Sequence, residues 1–106
     1  MNFTRRDQLE RHLEKLVGAL VPRFFPMQKF GFVNVVGLQL ASGFDSARVQ
    51  VAVEKNSHQF EEFTRKVIAQ IQKEVNANLP RKKIPKLILE LDKTNELLAK
   101  IAKIEK

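Results

Sequence analysis

Residues 32–53 read FVNVVGLQLASGFDSARVQVAV, and the way they are parsed decides the fold. ARVQVAV (47–53) alternates cleanly, with Val49, Val51 and Val53 on one side and Arg48 and Gln50 on the other. That is the period of a half-buried strand. FVNVVGLQLA (32–41) is rich in β-branched residues and long enough for a second strand. Phe32, Val36, Leu38 and Leu40 share one parity, while Val33 and Val35 make its first half apolar on both faces. SGFDS (42–46) supplies the Ser, Gly and Asp of a turn. Two such runs joined by a short polar loop predict an antiparallel hairpin.

Outward from the hairpin the period changes. Leu9, Leu13, Leu16, Val17 and Leu20 form one apolar stripe and predict a helix over 4–21. Thr4 can cap it, and Asp7 places negative charge beside the exposed amides of the first turn. Pro22 is expected to end this helix, leaving PRFFPMQKFG (22–31) as an irregular connector. On the other side, KNSH (55–58) breaks the strand pattern and offers Asn56 or Ser57 as a cap. Phe60, Phe63, Val67, Ile71 and Val75 then predict a helix over 59–78. PKLILEL (85–91) predicts a third strand with Leu87, Leu89 and Leu91 on one face, and NELLAKIAKIEK (95–106) a closing helix. The expected fold class is α+β, in the order α-β-β-α-β-α, as one domain over residues 1–106. Its two long helices should pack on one face of a three-stranded sheet.

Composition narrows the chemistry. There is no cysteine, so disulfides and thiolate metal sites are excluded. His12 and His58 lie far apart with no acidic residue at ligand spacing, so no metal or other cofactor is expected. Ser42, Ser46 and Ser57 read as turn or cap serines, and Gly31, Gly37 and Gly43 do not compose a phosphate loop. No carboxylate pair stands out. An enzyme is not expected, nor a small-molecule substrate. No apolar run approaches a membrane span and the N-terminus lacks a signal-like core, so a cytoplasmic monomer without membrane contact is expected.

The charge points elsewhere. Nineteen Lys and Arg against twelve Asp and Glu give a net charge of +7. Seven basic and four acidic residues fall in 1–53, twelve and eight in 54–106, so the excess is spread over the fold and not held in a tail. Such a field attracts polyanions. Its densest point is LPRKKIP (79–85), where Pro80 and Pro85 bracket Arg81, Lys82 and Lys83, with Lys86 just beyond. The helix over 59–78 adds Arg65, Lys66 and Lys73, and Arg48 and Lys55 complete the candidate RNA-binding set. Tyr and Trp are absent, and the phenylalanines read mostly as core. Backbone and shape contact is therefore expected in place of base stacking.

With this order and these motifs, the chain resembles the ribosome-binding factor A family, small bacterial assembly proteins with a type II K-homology-like fold. The likeness rests on GFVNVVGLQLASGFDSARVQVAV (31–53) and KKIPKLILELDKTNELLAKI (82–101). The first resembles the family's glycine, strand, short turn and returning "A-(K/R)-V-x-V-x-V" strand. The second resembles its "(I/V)-P-x-L-x-F" strand, terminal Asp and short helix. The resemblance implies binding to the small ribosomal subunit during late maturation of its ribosomal RNA, without catalysis, and a link to growth in the cold. The family's Ala-x-Gly helix kink falls on Val67-Ile68-Ala69, which lacks the glycine; the helix is either less kinked here or straight. Ala41-Ser42-Gly43 stands where the family often has Ser-Pro-Asp, and Pro26-Met27-Gln28-Lys29 replaces its acidic-proline motif.

Two other readings remain open from the residues alone. One is a non-catalytic protein-interaction module whose basic surface meets acidic partners. The other is an engineered domain on the same fold, against which the irregular 22–31 stretch argues.

Overall fold

The computed structural model describes residues 4–92. Helix α1 (Arg5–Phe24) opens with a complete capping box, in which the Thr4 hydroxyl accepts from the Asp7 amide and the Asp7 carboxylate accepts from the Thr4 amide. Its buried stripe runs Leu9, Leu13, Val17, Leu20 and Val21, with Leu16 half-buried beside it. The helix passes through Pro22 and ends three residues later than the sequence predicts. An interior proline costs about 3 kcal/mol. Val21 and Phe25, both buried, flank it, and each contributes roughly 1.5–3 kcal/mol. Packing wins.

The expected irregular connector is also partly regular. A one-turn helix α2 (Met27–Phe30) follows, closed by Gly31 at φ +68°. A Cβ on Gly31 would sit 2.7 Å from the Glu54 Cβ, so glycine is required both for its dihedral and for the close approach.

Strands β1 (Val33–Leu40) and β2 (Ser46–Val53) form the antiparallel hairpin, and β3 (Lys86–Leu91) lies parallel to β2 on its other side, giving the order β1-β2-β3. A bulge between Val35 and Gly37 explains the ambiguous first strand: Val35 pairs with Val51, Gly37 pairs with Gln50, and Val36 is the extra residue. The insertion switches parity. Val33 is buried before it and Leu38 and Leu40 after it, while Phe32 and Val36, expected on the inner face, are 66% and 48% exposed.

Helix α3 (Phe60–Asn78) follows a single 3-10 turn (Ser57–Gln59) and runs as one uninterrupted α-helix through Val67–Ala69. It is held by Phe60, Ile71 and Val75, with Phe63 and Val67 half-buried. Asn56 makes no capping bond; from a left-handed conformation its side chain instead donates to the Lys29 carbonyl, tying α2 to the entry of α3. Both long helices cover one face of the sheet, α1 against β1 and α3 against β3, and they meet each other over β2. Val49 and Val51 of β2 are completely buried at the centre. The order among the described residues is α-β-β-α-β apart from the α2 turn; the helix expected over 95–106 lies outside them.

Candidate nucleic-acid interface

Residues 79–86 form a tongue anchored at both ends. Leu79 and Pro85 are buried and Ile84 half-buried, whereas Arg81, Lys82 and Lys83 stand exposed between them. The tongue is docked on the hairpin turn: the Lys86 amide donates to the Asp45 carbonyl at 2.9 Å, and Lys83 Nζ reaches Asp45 Oδ1 at 3.1 Å. The start of α1 lies at this end too, because Arg6 donates to the Leu40 carbonyl and Glu10 Oε1 accepts from the Leu40 amide at 3.1 Å. Three separated segments thus bring Arg5, Arg6, Arg81, Lys82, Lys83 and Lys86 to one end of the molecule.

From the tongue a groove of about 700 Å³ runs between α3 and the free edge of β3. Arg65 and His58 stand on its helix side and Lys86 on its strand side, over an apolar floor that includes Ile68 and Leu89. Gln72 closes the tongue end of that edge, accepting from the Leu87 amide at 2.8 Å and donating to the Pro85 carbonyl at 3.2 Å. The Lys86 and Asp92 amides bond toward β2, so strand alternation sends those of Leu89 and Leu91 to the free edge. Thr64 also lines the groove, and its Oγ1 is a buried side-chain oxygen with no hydrogen-bond partner. A buried hydroxyl left unmatched carries a cost that a polar ligand could remove.

The nine cations expected to bind RNA do not make one array. Arg65, Lys86, Arg81 and Lys82 border the groove or the tongue. Lys66 and Lys73 lie on the back of α3, away from the sheet, and Lys55 follows the far end of β2, roughly 25 Å from the tongue at strand rise. Three are ion-paired. Arg48 meets Glu90 in a two-toothed contact of 2.7 and 3.1 Å on the uncovered sheet face. Arg65 reaches Glu61 at 3.2 Å, and Lys83 meets Asp45. The Arg48 hydrogen bonds hold the Glu90 carboxyl below its usual range, against the opposing effect of partial burial, and the same contact raises Arg48. Such exposed pairs are worth little, so a phosphate can displace the acid from Arg65 or Lys83.

Sequence reading missed Thr64, His58 and the exposed Phe32. The Glu61–Arg65 spacing of four was a readable sign of pairing; the Arg48–Glu90 pair, 42 residues apart, left no local sign. Among the described residues no group of three His, Asp or Glu could hold a metal, and no helix is long and apolar enough to cross a membrane.

No family model and no curated protein matches the chain. Solved structures do. A crystal structure of ribosome-binding factor A from Thermus thermophilus matches with a TM-score of 0.71 at 10% identity, over 81% of this chain and 93% of that one. A Thermus thermophilus ribosome-binding factor A model fitted into the cryo-EM map of its complex with the 30S subunit gives 0.71 and 10%, over 80% and 92%. The solution structure of a Thermotoga maritima protein, provisionally assigned as a ribosome-binding factor A, gives 0.67 and 20%, over 89% and 93%. The chain has the fold of the ribosome-binding factor A structures.

Proposed function

We propose that this protein is a non-catalytic ribosome-assembly factor of the ribosome-binding factor A type. On this reading it binds the small ribosomal subunit in the cytoplasm and holds ribosomal RNA during maturation. The observation that carries the reading is the clustering of exposed Arg81, Lys82 and Lys86 on the tongue, with Lys86 also lining the α3–β3 groove, none of them in an ion pair among the described residues. A fold shared with a structure fitted into a 30S complex supports the choice of subunit. RNA backbone along the groove would place phosphates against Lys86, Arg65 and the tongue. The Thr64 hydroxyl and the free amides of β3 would meet polar groups of the strand.

The test is binding to small-subunit RNA as a function of salt. About four phosphate contacts give a log–log slope near −3 and a loss of about tenfold or more between low and physiological salt. Salt-independent binding, or binding that survives complete RNase digestion of the subunit extract, contradicts the reading. It would favour the protein-interaction alternative, which has its own observation in the exposed Met27, Phe32 and Val36.

A further inference from the structure

A second cleft, of about 650 Å³, opens on the other side of the tongue, between it, the first turns of α1 and the hairpin turn. Its floor is apolar: Leu9 and Leu79 are buried there and Phe44 is half-buried. Its rim carries Arg5, His12 and Arg81. Arg5 and Arg81 make no ion pair among the described residues, and the nearby acids are engaged elsewhere, Asp7 in the capping box and Asp45 with Lys83. Two guanidinium groups thus face one opening without a counter-charge of their own.

Phe44 gives the cleft its character. It sits in the hairpin turn at φ +60°, a conformation rare for a bulky side chain, although Gly43 is next to it. Its amide donates to the Ala41 carbonyl at 3.0 Å, so Phe44 follows a tight turn at a position hairpins usually give to glycine. That backbone is strained for a bulky side chain and persists only where the surroundings impose it. Here it holds an aromatic ring in the wall of a cationic cleft.

We propose that this cleft takes one unpaired nucleotide of a single-stranded RNA segment. The base lies on the Phe44 ring, and Arg5 and Arg81 hold its flanking phosphates. Gln8, also on the rim, has an amide that can meet a base edge. An apolar floor with a π-face suits a base, and two unpaired arginines suit phosphates on either side of it. A duplex keeps its bases stacked inside and cannot insert one. The inference rests on the RNA-binding reading above and adds strand form and site to it.

The experiment compares binding of a short single-stranded RNA and a duplex of the same sequence by the intact chain and by F44L. Leucine keeps an apolar floor but removes the stacking surface. Single-strand affinity should fall at least about fivefold while duplex affinity stays constant. Arg5→Gln with Arg81→Gln, at exposed positions that do not burden folding, should weaken single-strand binding further and make its salt slope shallower by about two. Full single-strand affinity in F44L overturns the inference while leaving intact the RNA-binding reading, which does not use Phe44. Absence of RNA binding by the unaltered chain overturns both. Equal losses of single-strand and duplex affinity in F44L also overturn the inference, because Phe44 would then not be stacking on an unpaired base.

Discussion

The two ends of β2 are built from opposite materials. At its C-terminal end, four phenylalanines, Phe25 just past α1, Phe30 of α2, and Phe60 and Phe63 of α3, pack ring to ring. Phe25 touches Phe30, Phe60 and Phe63 at centroid distances of 5.4, 5.3 and 5.2 Å, and Phe30 touches Phe63 at 5.2 Å. Lys29 lies over two of these rings, at 5.6 and 5.4 Å, so even a cation serves packing there. At the N-terminal end, the tongue, the hairpin turn and the start of α1 are joined by backbone and side-chain hydrogen bonds, and most of their cations remain exposed. Aromatic packing stabilises the fold and presents little to a polyanion. The tongue end contributes less to stability and keeps its charge available. The division lets one end fix the geometry that the other uses.

The largest effect that separates the ends is expected from Phe25→Ala. Phe25 is 2% exposed and touches three rings, so its loss should cost about 3–5 kcal/mol in chemical denaturation. RNA affinity of the folded fraction should not change. A normal denaturation midpoint would mean that the aromatic end does not carry the stability assigned to it.

The smallest effect is expected from Glu90→Gln, which removes the partner of Arg48 on the uncovered sheet face. Because the folded carboxyl is held low by Arg48, the pair contributes stability above the ordinary carboxylate range, and loses it as pH falls through the lowered value. The difference in urea midpoint between parent and variant should be slight at neutral pH and close in acid. RNA affinity should rise a little as Arg48 is freed. A gap that widens in acid would contradict the assignment.

Much of this was legible in the sequence for a physical reason. Helix and strand periods are local, so Leu13, Val17, Ile71, Val75, Val49 and Leu87 declare themselves as core from spacing alone, and all six are essentially buried. What escaped depends on comparing distant segments. The bulge at Val36 exists only relative to β2, and the passage of α1 through Pro22 depends on what buries Val21 and Phe25. The cationic tongue was visible as a charge run, but its neighbours were not. Arg5 and Phe44 join Arg81 only when the chain returns twice to the same end, and the pairing of Lys83 with Asp45 spans 38 residues.

The most direct test of the central claim is cosedimentation with free small ribosomal subunits, comparing the unaltered chain with a variant bearing Arg81→Glu, Lys82→Glu and Lys83→Glu. The account predicts that the parent travels with the subunit and is released by raised salt, whereas the variant folds normally and binds at least about tenfold more weakly, with a shallower salt dependence. Equal cosedimentation of parent and variant at every salt concentration would contradict it.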